Sequence, residues 1–446
     1  MYTNSKRLIT LSKDPGPLAC VHGIRILSLL WIIWGHRNGV SLIFPMDNHV
    51  ELIEWTKTYG STSLMSAPLA VDTFFLLSGL LISYIFFRNP ENKSFRDIPM
   101  FYIHRILRLT PALMMVAMLQ ATLMARIGSG PLWKQFNWDM IDPCREYWWS
   151  TLLYIQNYVN SDFMCLLHTW YLSIDMQLYI LSPILLFPLL KHHKFGLAWA
   201  VALTVACQIT IFVICYQNAW YAAFMTSKDP NGGTRGDFYH GTFTRATPWL
   251  IGIIAGYFLR VCNLKEITIN KIIVAIGWIV SLAAMLGMVL VMKPLQDSSH
   301  EFNYWEDTTY MAFSKTVWTL GILWVICACA FGYGGPVNWF LSLRLWEFLA
   351  RLSYSMYLIH ICLQSLMVAS ETTVGSFTMT RIFHLFLGDL VMTIVISYFM
   401  VLAFESPVTV LEKLIFKTDK KKPVPQENEG FEREQNKTIS VEQNIP

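Results

Sequence analysis

The sequence predicts an all-α, polytopic membrane protein, a bundle of about ten transmembrane helices. Of its 446 residues, 54% are hydrophobic and only 14% are charged, whereas soluble domains carry about 25% charged residues. Apolar segments of spanning length, about 20 residues for a helix, alternate with loops rich in Gly, Pro and charge. The ten predicted spans are residues 20–40, 66–87, 109–127, 168–190, 195–216, 246–262, 271–292, 312–332, 347–369 and 382–404.

The distribution of Lys and Arg predicts the orientation of the chain. Basic residues concentrate before the first span, after the second span and in the tail. They are Lys6, Arg7, Lys13, Arg88, Lys93, Arg96, Arg105, Arg108, Lys417, Lys420, Lys421 and Lys422. Because cytoplasmic loops collect basic residues, both termini are expected in the cytoplasm. The outer compartment is either the ER lumen or the cell exterior, and the sequence does not choose between these two membranes.

Composition divides the chain into three parts. Residues 1–19 form a polar cytoplasmic segment without the apolar core of a signal peptide. Residues 20–407 form the transmembrane domain. Residues 408–446 form a cytoplasmic tail that is predicted to be mostly disordered, because it has little apolar content. The net charge of +4 is too small to indicate a nucleic-acid partner, so membrane lipid is the expected surrounding. The oligomeric state stays open.

Two ionisable residues share one face of the first span. Arg25 and His36 are eleven residues apart, close to three helical turns, so they lie about 16 Å apart along the axis. Ionisable groups at membrane depth are costly and indicate a functional site. The alternative is that Arg25 is an interfacial anchor whose side chain snorkels to the surface, with His36 at the opposite rim.

Two carboxylates are predicted at a similar depth to His36. Asp72 lies near the outer start of the second span, and Asp175 lies about two turns into the fourth. A carboxylate that holds one ring nitrogen of a histidine orients the ring as a base. We therefore predict catalytic roles for His36, Asp175 and Asp72. For Asp175, a carboxylate that favours the positive end of the helix dipole is the structural alternative.

Basic and aromatic residues supply the predicted binding groups. Arg105 and Arg108 lie three residues apart at the cytoplasmic mouth of the third span. Their guanidinium groups suit phosphate oxygens, although for this pair alone ordinary positive-inside charge is the favoured explanation. The candidates for contact with a second substrate are Tyr171, Arg245 and His360. Arg245 can instead meet rim lipid, and His360 can instead hold helices together.

Cys144 and Cys165 fall in the outer loop between the third and fourth spans. Because that compartment is oxidising, we predict a disulfide between them; two buried thiols are the alternative. No metal site is predicted, since the chain lacks zinc spacing, an HExxH motif and a histidine cluster.

These motifs together resemble the acyltransferase type 3 family of polytopic membrane proteins. The matching stretches are Arg25-x10-His36, Val71–Gly79, Arg105–Pro111, Ser353–His360 and Glu405–Pro407. Three further stretches resemble the animal nose-resistant-to-fluoxetine branch: Cys144–Trp149, Tyr154–Tyr158 and Trp170–Tyr179. Members of that branch commonly carry a cysteine-containing lumenal domain upstream. That domain is missing from this sequence, so we expect the chain to be an isoform, a fragment or a truncated gene model.

The resemblance implies an O-acyltransferase that moves an acyl group, such as acetyl, from cytoplasmic acyl-CoA to a hydroxyl acceptor on or across the membrane. Arg25, Arg105 and Arg108 would hold the donor phosphates. His36 would deprotonate the acceptor or take the acyl group briefly. The alternative is a multi-pass transporter or lipid and xenobiotic carrier that uses the same intramembrane His and Asp residues for proton relay. An inert binding protein is the third possibility.

Overall fold

The structure is a computed structural model that describes residues 2–416, apart from 11–15, 17, 44, 224–235, 237, 262–267 and 298. Within these ranges the chain is helical, and it forms no β-strand beyond one isolated bridge between Met46 and Gly375. Lys13 and the predicted disordered tail from residue 417 onward lie outside the described residues.

Thirteen helices of nine or more residues are described, and we number them in chain order. They are α1 (Cys20–Ile43), α2 (Pro68–Phe86), α3 (Ile98–Thr122), α4 (Asp142–Leu152), α5 (Trp170–Leu181), α6 (Pro183–Lys191), α7 (His193–Asn218), α8 (Ala246–Val261), α9 (Lys271–Leu290), α10 (Tyr304–Ala330), α11 (Arg344–Ala369), α12 (Met379–Met400) and α13 (Ser406–Ile415).

Shorter helical pieces connect these helices. The α-helical pieces are Tyr2–Ile9, His49–Thr56, Thr62–Met65, Trp133–Phe136, Gln156–Val159, Met292–Gln296 and Gly335–Leu341. The 3-10 turns are Tyr59–Ser61, Pro90–Asn92, Phe95–Asp97, Met124–Arg126, Leu167–Thr169 and Phe243–Arg245. Two π-helical turns, Asn137–Ile141 and Val401–Glu405, precede α4 and α13.

All ten predicted spans are helical, and the predicted all-α, polytopic fold is confirmed. Eight helical stretches in the described residues are long and apolar enough to cross a membrane. The two predicted spans outside this set are α8, which has 16 residues, and α1, which carries Arg25, His36 and Arg37. The fourth span consists of two helices. Helix α6 begins at Pro183, directly after α5, and proline lacks the backbone N–H that would continue the hydrogen bonds of a single helix. The orientation of the termini stays a prediction.

Glycines let α2 and α8 pack backbone against backbone. A Cβ on Gly79 would lie 2.1 Å from the carbonyl oxygen of Trp249, and one on Gly252 would lie 2.3 Å from that of Leu76. In a lipid bilayer the hydrophobic effect does little to bring helices together, so helices associate where small residues allow their backbones to approach closely. This contact fixes α8 against α2, and with it the Phe243–Arg245 turn that precedes α8.

The bundle has a buried centre and a lipid-facing edge. Within their apolar windows, 72% of the α11 stretch is buried inside the protein but only 6% of the α9 stretch. The central α11 packs against α1 and α12, and a buried cluster joins these helices through Leu29, Ile33 and Met356. The first-span residues Arg25 and His36 therefore lie against the most deeply buried helix.

Candidate active site

A cavity of about 1660 Å³ lies inside the bundle and is lined by residues of α1, α2, α3, α5 and α11. Its basic end is lined by Arg105 and Arg108, from the first half of α3. Its far end is lined by Trp138 and Asp162, from the segment that follows α3. The stretch from Arg108 to the end of α3 rises about 21 Å. The cavity therefore extends along most of the length of the bundle.

His36 lines this cavity and is paired with a second histidine. Its Nδ1 lies 2.8 Å from Nε2 of His360. The two rings stack with centroids 5.0 Å apart and planes inclined by 21°. His36 lies on α1 and His360 on α11, so the packing of these helices joins two motifs that are more than 300 residues apart.

The hydrogen bonds fix which nitrogen of each ring carries a proton. Nδ1 of His360 lies 2.7 Å from the carbonyl oxygen of Tyr357. Because a carbonyl oxygen only accepts, this Nδ1 donates, and the neutral His360 ring holds a lone pair on Nε2. Nδ1 of His36 then donates to that lone pair, so Nε2 of His36 is unprotonated. No described residue bonds this Nε2, and the half-buried His36 ring presents a base to the cavity.

His168 is a third histidine in this cluster, and the sequence reasoning missed it. Its ring centroid lies 5.2 Å from that of His360 and 6.4 Å from that of His36. Its Nε2 lies 3.2 Å from the carbonyl oxygen of Leu358, whereas its buried Nδ1 has no partner among the described residues. No group of three His, Cys, Asp or Glu residues in the described ranges is arranged to hold a metal ion. A histidine at the first residue of the predicted fourth span was the available signal.

Asp72 binds Arg245 rather than His36. Nη1 of Arg245 lies 3.0 Å and 3.1 Å from the two carboxylate oxygens, and both side chains are 1% exposed. The guanidinium also lies 4.3 Å from the ring centroid of Tyr239 and 5.2 Å from that of Trp170. Two predictions are therefore wrong: Asp72 does not orient His36, and Arg245 is enclosed outside the cavity lining rather than placed to contact a substrate. A buried charge needs an opposite charge, and the packing of α8 on α2 supplies one.

Asp175 is also paired with a cation. Its carboxylate accepts hydrogen bonds from Arg105 Nη2 and from the hydroxyl of Ser78, so the prediction that Asp175 orients His36 is wrong. The reason lies in the length of α3. That helix begins at Ile98, two turns before Arg105, whereas the sequence predicts a span that begins only at residue 109. The arginine therefore lies within the bundle and reaches α5.

Arg25 and Arg108 complete the predicted phosphate-binding trio, and in the described ranges neither has a carboxylate partner. Both line the cavity. Arg25 and Arg108 carry like charges that repel each other within this cavity, which Asp175 also lines. Since Asp175 is already bonded to Arg105, the local charge is net positive. An anion in the cavity would relieve this repulsion.

The basic end also contains aromatic rings and a helix-to-helix bridge. Phe101 and Tyr179 stack with centroids 4.2 Å apart and nearly parallel planes. The guanidinium of Arg105 lies 4.3 Å from the Tyr179 ring centroid. Nδ1 of His104 contacts a carboxylate oxygen of Glu412, which connects α3 to α13. All five side chains line the cavity, so this end combines cationic groups with flat aromatic surfaces.

Tyr171 and His360 differ from each other in their access to the cavity. Tyr171 lines the cavity and packs against Phe75 at 4.7 Å and Tyr357 at 5.9 Å between ring centroids, so its predicted contact with a substrate stays a prediction. His360 is fully buried and is not part of the lining. Its predicted direct contact with a substrate is therefore corrected, because it reaches the cavity only through His36.

A buried ion pair beside His36 was not found from the sequence. Arg37 Nε lies 2.5 Å from one oxygen of Asp389, and Nη2 lies 2.7 Å from the other. Gln364 Nε2 donates to the same carboxylate at 3.3 Å and to the carbonyl oxygen of Ile33 at 3.0 Å. These bonds join α1, α11 and α12 one residue after His36, so they fix the rotation of α1. Single charges in apolar spans were the signal for both Arg37 and Asp389.

Cys144 and Cys165 are joined by a disulfide in the structure, the pairing that their position in the outer loop predicts. The bridge connects the start of α4 to the stretch before α5. Neighbours of both cysteines, Pro143 and Met164, line the far end of the cavity. The disulfide therefore ties together two of the chain segments that form this end.

Fold and site together define a multi-pass, all-helical membrane protein with a basic cavity that a half-buried, paired histidine lines. The sequence comparison is consistent with that class, because the model of an acyltransferase domain family matches residues 18–404. The chain belongs to this acyltransferase family, and it is an integral, multi-pass membrane protein. No solved structure matches the chain.

Three curated relatives illustrate the family. Nose resistant to fluoxetine protein 6 of Caenorhabditis elegans is 31% identical over 94% of this chain and 54% of the relative. Regulator of hypoxia-inducible factor 1 of the same organism is 25% identical over 52% of this chain and 49% of the relative. A Staphylococcus aureus (strain COL) protein, named for an inferred O-acetyltransferase activity, is 24% identical over 76% of this chain and 49% of the relative. The chain thus spans about half the length of the relatives it matches.

Proposed function

We propose that this protein is an O-acyltransferase that moves an acyl group from acyl-CoA to a hydroxyl acceptor at or across the membrane. One observation supports the proposal above others. The unprotonated Nε2 of His36 and the unpaired guanidinium groups of Arg25 and Arg108 share one cavity. Arg25 and His36 lie about 16 Å apart on one helix, close to the reach of an extended pantetheine arm.

The donor would bind at the basic end. Phosphate groups would contact Arg25 and Arg108, because these two arginines have no carboxylate partner among the described residues. Arg105 would contribute less than the sequence predicts, since Asp175 already neutralises it. Because acyl-CoA is a cytoplasmic metabolite in the family mechanism, we place the basic end and both termini in the cytoplasm.

The transfer would proceed with His36 as general base. Nε2 of His36 takes the proton of the acceptor hydroxyl, and the oxygen forms a bond to the thioester carbonyl carbon. The carbon–sulfur bond then breaks, and the leaving thiolate takes the proton from Nε2 to give the free thiol of CoA. His360 holds the proton on Nδ1 of His36 throughout, as an orienting group does in other base-catalysed acyl transfers.

The test uses the purified chain in detergent with acetyl-CoA and a panel of alcohols, and mass spectrometry follows both free CoA and acetyl ester. His36→Ala should abolish acetyl transfer while the protein still elutes as a monodisperse peak. His384→Ala is the matched control, because His384 is exposed on α12 and does not line the cavity. Normal turnover by His36→Ala would refute the mechanism.

A carrier is the second candidate, favoured by the reach of the cavity towards both ends of the bundle. In that case His36 and its partners would relay protons rather than catalyse acyl transfer. Vesicles that contain the protein and a pH-sensitive dye separate the two functions. Substrate-dependent proton flux without any acyl ester would favour the carrier, and ester formation without flux would favour the transferase.

A further inference from the structure

We infer that the far half of the cavity binds an amphiphilic alcohol without an anionic group as the acyl acceptor. The inference rests on the proposed function for the role of His36, but the shape and charge of the site support it independently. The hydroxyl would lie at His36, the apolar body would fill the far half, and the opposite end of the molecule would reach the rim at Asp139 and Asp162.

The lining of the far half is mainly apolar. Its walls come from the end of α1, the start of α2 and the segments on both sides of the disulfide. The apolar side chains include Val40, Leu64, Met65, Val71, Met140 and Met164. Burying an apolar chain against such walls contributes about 25 cal/mol per Å², whereas a sugar would leave many of its hydroxyl groups without partners.

The charge of the lining differs between the two ends. Among the described residues that line the far end, the charged ones are Asp139 and Asp162, and both are exposed carboxylates. Lys134 is the nearest basic residue along the same segment, and it does not line the cavity. Trp138 and Phe163, each beside one of these carboxylates, are also exposed and line the rim. Carboxylates beside aromatic faces favour a neutral or cationic group and repel an anion.

A buried lone pair next to His36 points independently to a hydroxyl ligand. His168 lines the cavity but is only 4% exposed, and its Nδ1 has no partner in the described part of the chain. Since Nε2 of His168 donates to Leu358, Nδ1 is an acceptor. An acceptor left without a donor costs free energy. A hydroxyl bound between His36 and His168 would donate its single proton to one acceptor at a time, to Nδ1 of His168 on binding and to Nε2 of His36 in the transfer step.

The test compares three acceptors of one length in nanodiscs of neutral lipid: 1-dodecanol, 12-hydroxydodecyl-trimethylammonium and 12-hydroxydodecyl sulfate. Acetyl transfer from acetyl-CoA and binding by native mass spectrometry are measured for each. We expect the neutral and cationic alcohols to be preferred over the sulfate by about fivefold to tenfold, the effect of two exposed charges. Equal use of the sulfate would overturn the inference.

The variant Asp139→Lys/Asp162→Lys should reverse this order in favour of the sulfate. The matched control is Glu146→Lys/Glu301→Lys, which makes the same charge change at exposed carboxylates outside the cavity and should keep the original order. If Asp139→Lys/Asp162→Lys does not fold, Asp139→Asn/Asp162→Asn should remove the discrimination. If the control variant also reverses the order of preference among the three alcohols, the effect comes from the net charge of the protein, and the proposed acceptor site is refuted.

The two measurements separate failure of this inference from failure of the proposed function. Binding in the predicted charge order without acetyl transfer would support the ligand class and refute the transferase. Transfer that ignores the charge of the acceptor would support the transferase and refute the ligand class. An absence of both binding and transfer for all three alcohols would refute both.

Discussion

Two sets of arginines lie within the helical bundle, and their surroundings differ. Arg37 and Arg245 are each bonded to both oxygens of a buried carboxylate, and each is 1% exposed. Arg25 and Arg108 line a cavity and have no carboxylate partner among the described residues. The difference separates two uses of the same side chain. A paired arginine holds helices together, whereas an unpaired one beside a cavity is available for an anionic ligand.

The histidines show the same division. His360 donates to the backbone of Tyr357 and accepts from His36, so both of its nitrogens are used. Nε2 of His36 remains available on the cavity side. We therefore expect substitution of the enclosed residues to change the stability of the protein or the orientation of a neighbouring side chain. Substitution of the available residues, Arg25, Arg108 and His36, should change ligand binding or the chemical step.

The largest expected effect comes from breaking an enclosed ion pair. Asp389→Ala leaves Arg37 charged and buried, and should reduce the free energy of unfolding by about 3–5 kcal/mol. Thermal unfolding in detergent measures the loss. The double variant Arg37→Met/Asp389→Leu should recover most of the stability, because an apolar pair has no charge to compensate. Equal instability of the single and double variants would show that the charge pair is not the cause.

A smaller effect is expected for the orienting histidine. His360→Ala should lower kcat for acetyl transfer by about 100-fold, since His36 loses the partner that fixes its tautomer. KM for acetyl-CoA should stay unchanged, because His360 does not line the cavity. The pH profile of kcat should also change shape, which a purely structural role would not produce. An unchanged kcat would contradict the proposed role of His360.

The smallest effect is expected for the unpaired arginines. Arg25→Ala and Arg108→Ala should each raise KM for acetyl-CoA by about tenfold, the loss of one charge-assisted contact. Their melting temperatures should stay level or rise, because removing either one relieves repulsion between them. Arg126→Ala, an exposed arginine outside the cavity, is the control. A marked loss of stability in either variant would show that the substituted arginine holds helices together, as Arg37 and Arg245 do, and would contradict a role in ligand binding.

The fold was largely predictable because hydropathy is a local property of the sequence. Each of the ten predicted spans is helical, although the structure moves several boundaries, such as the start of α3 from residue 109 to Ile98. The break between α5 and α6 was not predicted. A proline at a helix start is visible in the sequence, but whether a span bends or continues depends on its neighbours.

The site was only partly predictable, and the errors share one cause. The rule that ionisable residues in apolar spans mark function found His36 and Arg25, and the spacing of the arginine pair found Arg108; all three line the cavity. The partners assigned to them were wrong, because the sequence gives depth along a helix but not the face it turns to a neighbour. Asp72 and Asp175 lie at plausible depths, yet each meets an arginine first. The same rule applied to Arg37 and Asp389 would have found the second enclosed pair.

The glycine contact between α2 and α8 has a consequence for how substitutions spread through the protein. Helix α2 carries both Asp72 and Ser78, which bond to Arg245 and Asp175 respectively. A methyl group on Gly79 would meet the backbone of Trp249 at 2.1 Å, and one of the two helices would have to move. Such a shift would strain two separate charge clusters at once. Gly79 therefore acts as a shared spacer, and one added methyl group there should disturb both the Asp72–Arg245 pair and the Asp175 cluster.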